Sequence, residues 1–432
     1  MIFFLMGSLS TVTIDLKKDR FLEYKYRITE FHIVTDGNDD KFPVERIQSV
    51  KIENYYENAS FPIFRVSLLM EASRYYNLIK NRDKVEIIVR MQHFIRKYDG
   101  ERKMEEMSDL RDTFTETFVL FSDDDNADYQ TDLKLEANKK DDKNKLEELK
   151  NMVELFLFKK DWVTGLRSQA NVIVNNADMT TTIAYLLNKA KVTNVLMSPL
   201  QNTKSYEEMV LPPQSIDKQL RYLNNNVGFH QYGTMIYFGI SDGYILDCKG
   251  GCTAYRDKEW KESVFYITDT SNHISMMSNM LEKYKEERYY YNIANTAINI
   301  VVGGVSDNVV SGTDATIIDM KGNSSTTASS NAKTVESANK STLYNYSSNP
   351  YKATVYQSLQ TGDNMTIYIG MRNVNILGLA PNKDFTVIFE NQLLNSKYKG
   401  TYRLASSIFL FNGNNAELDL DAVVELKKTV TP

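Results

Sequence analysis

The sequence predicts an α+β protein that is mainly β, with an antiparallel β module towards each end of the chain and mixed α/β segments between them. Three observations predict it. From Ala353 to Val430 apolar and polar residues alternate with period two, and Gly/Asn/Asp clusters break the runs, as in an antiparallel meander. The stretch Asp83–Met91 (DKVEIIVRM) can be laid on Asp363–Met371 (DNMTIYIGM), with aspartate, three apolar positions and a final Met at the same offsets. That agreement is either chance likeness of two short strands or the trace of a duplicated β module. Between these ends, apolar stripes of helical spacing alternate with short strands.

Taken in order, the opening MIFFLMG is too short for a signal peptide and lacks basic flanks and a cleavage site; the expectation is extra residues from an upstream start codon, with Met6 the alternative initiator. Residues 10–125 form the N-terminal β module. Phe21 to Val34 reads as a strand closed by the turn Asp36-Gly37-Asn38-Asp39. Ile47–Tyr56 and Pro62–Met70 read as a hairpin, Glu71–Lys80 as a short helix with Tyr75, Leu78 and Ile79 on one face, and Val85–Tyr98 and Thr113–Phe121 as further strands. A sheet closed by one helix is a small barrel-like module. Residues 126–165 are a charged insertion and connecting segment, with LEELKNMVEL (Leu146–Leu155) helix-prone and Val153–Phe158 a strand.

Residues 166–305 form the mixed α/β middle. Asp178 is the expected N-cap of a helix in MTTTIAYLLNKA, and Val192–Met197 is a strand. Pro212-Pro213 forces an extended entry to a second helix, capped by Ser215, with Ile216, Leu220 and Leu223 as its apolar stripe and Asn224-Asn225-Asn226 as its end. Thr234–Ile240 follows as a strand. Residues 306–350, rich in Ser, Thr, Asn and Gly, are a connector or surface arm. Residues 351–430 are the C-terminal β module, comprising TVYQSL, MTIYIGMRNVNIL, DFTVIFENQLL, TYRLASSIFLF and AELDLDAVVELK. In the last strand Leu418, Leu420, Ala422, Val424 and Leu426 share one face, and Glu417, Asp419, Asp421 and Glu425 the other.

Composition excludes several functions. A net charge of -5, with basic residues interleaved with acids throughout, is unlike a nucleic-acid surface. The 27 Tyr and 20 Phe suit β cores and large protein interfaces. Cys248 and Cys252 cannot build a disulfide framework, and with His32, His93, His230 and His273 scattered they read as free thiols in a Gly-rich turn rather than as zinc ligands. Asp123–Asp128 supplies oxygen donors but lacks the glycine and terminal glutamate of an EF-hand loop. Gly303-Gly304 has no helix behind it to hold a phosphate, and no nucleophile elbow, HExxH or dinucleotide fingerprint occurs. The expectation is no enzyme, no catalytic or metal residues and no cofactor. No apolar run is long enough to cross a membrane.

The middle segment YEEMVLPPQSIDKQLRYLNNNVGFHQYGTMIYFG resembles central baseplate hub proteins of tailed phages. Pro212, Pro213, Ile216, Tyr222, Leu223, Gly228, Tyr232, Gly233, Tyr237 and Phe238 carry the likeness. The ending from Lys397 to Leu426 is similar to the same family's terminal hairpin. Such hubs are similar in plan to spike-base proteins of type VI secretion and other contractile injection systems. The resemblance implies two tube-type barrels in one chain with α/β domains between them. It also implies a homotrimer whose six barrels match a hexameric tail tube above and a threefold spike below. The partners it implies are the tail tube protein, the spike protein and other baseplate proteins, in a virion assembled in the host cytoplasm, with DNA only in transit. On that plan Glu417, Asp419, Asp421 and Glu425 either line the DNA channel or form a solvated outer face. The other classes open to the sequence are a receptor- or glycan-binding tail component, to which Tyr289-Tyr290-Tyr291 would belong, and a tail-borne cell-wall hydrolase.

Overall fold

A computed structural model describes residues 13–15, 20–56, 59–98, 104–105, 111–121, 150–230, 233–240, 242–248, 262–268, 288–294, 298–302, 365–372, 374–381, 383, 385–414 and 417–429. The charged run 123–149, the 306–350 connector, TVYQSL, Gly303-Gly304, Cys252 and His273 lie outside the described residues, as do the side chains of Tyr289–Tyr291. The N-terminal strands are β1 (Thr13–Asp15), β2 (Arg20–Thr35), β3 (Asn38–Lys41), β4 (Ile47–Tyr55), β5 (Ile63–Glu71), β6 (Val85–Tyr98), β7 (Met104–Glu105) and β8 (Arg111–Leu120). Then follow β9 (Lys150–Lys159), β10 (Gln169–Asp178), β11 (Val195–Met197), β12 (Ser205–Ser215), β13 (Thr234–Phe238), β14 (Gly243–Asp247), β15 (Glu262–Thr268), β16 (Arg288–Ala294) and β17 (Ile298–Val302). The last four are β18 (Met365–Arg372), β19 (Phe385–Phe389), β20 (Gly400–Asn414) and β21 (Glu417–Lys428). Five α-helices are described: α1 (Ala72–Lys80), α2 (Lys160–Leu166), α3 (Met179–Lys189), α4 (Ile216–Asn226) and α5 (Gln392–Tyr398). The mainly β, α+β class predicted from the sequence holds.

Local chemistry sets the N-terminal strands. Asp36 (φ 49°) and Gly37 (φ 81°) form a two-residue turn with both residues left-handed, which suits the twist of the β2–β3 hairpin. β5 alternates strictly, with Phe64, Val66, Leu68 and Met70 inward, and the short helix α1 then buries Leu78. The two stretches read as related both obey this alternation. Val85, Ile87, Val89 and Met91 of β6 are buried, as are Met365, Ile367, Ile369 and Met371 of β18.

Among the described residues, eight strands close into an antiparallel ring in the order β2–β6–β8–β9–β5–β4–β20–β21 and back to β2. The ring draws on both ends of the chain: β20 pairs with β4 from Ser406↔Tyr55 to Asn412↔Ser49. The hairpin β20–β21 is long enough to serve a second strand group as well. Beyond a bulge at Leu404/Ser406, β20 pairs with β19, which runs parallel to β15, and β15 in turn pairs with β16. On its other edge β21 pairs with β18, and β18 with β17. One continuous apolar core runs through both groups, from Phe31, Phe64 and Phe118 to Phe265, Ile367 and Phe385.

A second core belongs to the middle segment. The ribbon β10–β12 covers α3 and α4, and the small sheet β11–β14–β13 lies beside them, with Trp162, Ile183, Leu211, Ile216, Leu220, Leu223, Phe229 and Phe238 inside. Asp178 caps α3 as expected, its Oδ1 accepting from the Thr181 N–H at 2.7 Å. Ser215 stands at the N-cap of α4, but its side chain makes no capping bond. The three asparagines expected to end α4 are its last residues. The stop is Gly228, whose φ of 82° only glycine adopts freely and whose N–H reaches the Leu223 carbonyl at 2.9 Å.

Two further expectations are corrected. Lys150–Leu155, read within a helix-prone stretch, is part of strand β9, because its alternate residues Val153, Leu155 and Leu157 enter the barrel core. The run DFTVIFENQLL is a strand only to Phe389. Asn391 then caps α5, its side chain accepting from Leu393 N at 3.0 Å and Leu394 N at 3.2 Å.

Candidate functional site

The apolar face of β21 reads as the sequence predicts, with Leu418, Leu420, Ala422, Val424 and Leu426 all buried. Its outer face is where the four acidic residues lie, and each meets a different partner. Asp419 binds the Lys25 ammonium of β2 at 2.5 Å, and Glu417 lies 3.7 Å from the Arg27 guanidinium. Asp421 sits opposite Arg372 of β18. Burial pushes its carboxyl above the usual range, against the opposing pull of Arg372 and with a further push from Asp419. Glu425 accepts a hydrogen bond from Ser406 Oγ at 2.8 Å, beside the β20 bulge. The acidic row is therefore interleaved with cations delivered by β2 and β18. Those cations stand far away in sequence, so strand periodicity carries no sign of them.

The row borders the junction where β2 meets β21. Tyr26 and Leu418 are the one registered pair between these strands among the described residues, because the same edge of β2 also serves β1 and β3. Buried side chains replace the missing ladder. The Tyr26 hydroxyl donates to the Val374 carbonyl at 2.8 Å and accepts from the Ile376 N–H at 2.9 Å, while Val374 N–H reaches the Leu420 carbonyl at 3.2 Å. The Tyr26 ring stands edge-on to Phe411 at 5.1 Å. Burial drives the Tyr26 phenol far above its ordinary ionisation range.

A second polar junction joins the barrel to the middle segment. Tyr237 of β13 donates to Asn54 Oδ1 at 2.5 Å, Asn54 donates to Ser407 Oγ at 3.0 Å, and Tyr56 shares a 2.6 Å bond with the same Ser407 hydroxyl. All four side chains are buried. Of the resemblance residues, Ile216, Leu223, Tyr237 and Phe238 are thus core or junction residues. Pro212 and Pro213 extend β12, and Tyr222 is partly exposed. Tyr232 lies outside the described residues.

Among the described residues, those weighed for metal or redox chemistry do not converge. His32 pairs with Asp39 at 2.8 Å on the surface, His93 meets Thr113 at 3.0 Å, and His230 meets Thr234 at 3.0 Å. Burial lowers the pKa of His93 and of His230. Among the described residues no cluster of three metal-ligating side chains occurs, and no helix is long and apolar enough to cross a membrane.

A family model described as Bacteriophage PBS1 gene 109 protein matches residues 10–429. The chain belongs to that family. The phage resemblance read from the middle and C-terminal motifs is met by this match, which spans nearly all of the chain. No curated protein sequence matches the chain. Among solved structures, the gene 109 family chain is similar to the tail protein from Neisseria meningitidis MC58, with 9% identity, a TM-score of 0.44 and coverage of 94% of this chain and 97% of that one. It is similar to the 43 kDa tail protein of prophage MuSo2 from Shewanella oneidensis, with 9% identity, a TM-score of 0.40 and coverage of 93% and 99%. It is also similar to a chain of the lidded Francisella PdpA-VgrG complex, with 7% identity, a TM-score of 0.42 and coverage of 95% of this chain and 54% of that one.

Proposed function

We propose that this protein is a structural component of a phage tail: a baseplate hub that joins the tail tube to the spike as a homotrimer with a central channel. The observation that carries the reading is the match to a bacteriophage family over residues 10–429. The architecture supports it. An eight-stranded antiparallel barrel and a second strand group share one hairpin, so each chain offers two β units side by side. Three chains would then present six such units to a sixfold tube while keeping threefold symmetry for a spike.

On this reading the partners are the tail tube protein, the spike protein and surrounding baseplate proteins. The protein resides in the virion tail after assembly in the host cytoplasm, and it needs no cofactor. The outer row Glu417, Asp419, Asp421 and Glu425 faces the channel. Because Lys25, Arg27 and Arg372 alternate with these carboxylates, the wall is a mixed-charge surface of low net potential and not a uniformly negative one. DNA would slide past it without strong attraction or repulsion of either sign. Its work is structural, carried by interfaces and not by a catalytic pocket.

Labelling the chain in purified virions and imaging the tails tests the assignment. Label confined to the tail tip, in multiples of three copies per particle, is the expected result. Label along the fibres, or clearing of peptidoglycan suspensions by the purified chain, would overturn it.

A further inference from the structure

The ring of strands is not equally strong all the way round. β2 and β6 pair from Phe21↔Tyr98 to Thr35↔Val85, and β20 and β21 from Tyr402↔Lys428 to Asn414↔Glu417. Between β2 and β21 the ladder among the described residues shrinks to Tyr26↔Leu418. Extending that antiparallel register by one residue each way sets Lys25 opposite Asp419 and Arg27 opposite Glu417, the two ion pairs found there. Lys25 is largely buried and Asp419 about half exposed. Backbone hydrogen bonding thus gives way at this line to two side-chain ion pairs outside and one tyrosine inside.

We propose that the β2–β21 seam is the opening joint of the barrel, latched by Lys25–Asp419 and Arg27–Glu417. Opening there leaves the hairpin β20–β21 anchored to β4 through Ser406–Asn412, so the barrel parts along one line without unravelling. The strands that would move with the parted edge are β18 and β17, which pair beyond the seam on the same side of β21. The joint therefore lies between the closed barrel and the second strand group, where a change in their relative placement costs fewest backbone hydrogen bonds. Partly exposed ion pairs are weakened by salt, which makes this joint sensitive to ionic strength while the long ladders are not.

Amide hydrogen exchange of the full chain, read by mass spectrometry, tests the joint. In the wild type, peptides spanning 22–28 and 417–421 should exchange faster than those spanning 85–94 and 406–411. Raising the salt to about 1 M, or introducing Asp419→Asn, should speed exchange at the seam about two- to fivefold, the effect a partly exposed ion pair carries. A Lys25→Cys/Asp419→Cys variant places thiols at directly opposed positions. Oxidised, it should slow seam exchange and remove the salt dependence; reduction should restore both. Seam exchange as slow as the β2–β6 ladder and indifferent to salt would overturn the proposal. So would an oxidised lock that leaves the exchange rate unchanged.

Discussion

Replacing Tyr26 by phenylalanine removes one oxygen from the β2–β21 junction and leaves the ring that packs on Phe411. That oxygen joins two backbone groups: it donates to the Val374 carbonyl at 2.8 Å and accepts from the Ile376 N–H at 2.9 Å. Val374 and Ile376 both lie outside the strands, and Tyr26 itself is fully buried. A buried polar group left unpaired costs about 1–3 kcal/mol, so the two together should cost about 2–4 kcal/mol, the half-buried Ile376 at the lower end. Tyr26→Ala adds the loss of the ring and should cost about 3–5 kcal/mol more. Urea unfolding followed by circular dichroism measures both. The expected result for Tyr26→Phe is a lower midpoint with an unchanged slope, since the surface exposed on unfolding does not change. A Tyr26→Phe protein within about 0.5 kcal/mol of the wild type, the spread of an ordinary surface substitution, would refute the claim that the hydroxyl pins this junction.

Other outcomes follow from the same geometry. Tyr26, Tyr56, Tyr237, Tyr244 and Tyr402 are all pushed above their ordinary value of 10.0, in each case chiefly by burial. A folded pKa raised above the unfolded one gives stability that is complete below about pH 10 and is lost as pH rises beyond it. The part of the 295 nm absorbance that these five buried phenols contribute should then rise in step with loss of the folded circular dichroism signal, and ionisation of these phenols in the folded state would contradict it. Tyr237→Phe should destabilise the protein by about 1–3 kcal/mol by leaving the buried Asn54 acceptor short of a donor, and limited proteolysis should then cut between the barrel and the middle segment. Gly413→Ala should cost about 1–3 kcal/mol in the same urea assay, because a Cβ there would stand 1.8 Å from the Glu417 carbonyl oxygen. Asn391→Ala should cost about 1 kcal/mol locally and show as faster amide exchange in α5 alone.

The strand faces were legible because burial and period two say the same thing. The inward rows of β5, β18 and β21 are read directly from alternate apolar residues. The Asp178 cap and the Ile216, Leu220, Leu223 stripe are equally local signals. Ring closure was not legible, since β4 and β20 meet through backbone groups some 350 positions apart and backbone bonds leave no mark on side-chain type. The same distance hid the pairing of Asp419 with Lys25, so a row that looks acidic along the strand is mixed in charge across strands. α5 was missed because Leu393 and Leu394 prolong an apolar run, whereas the helix is set by the Asn391 cap before them.

The central claim is that three copies of this chain form one ring. Light scattering of the purified protein across a concentration series tests it most directly. A species of about three times 49.7 kDa, either alone or on adding the tail tube protein, is the expected result. A stable monomer that persists at every concentration and in the presence of that partner would contradict it.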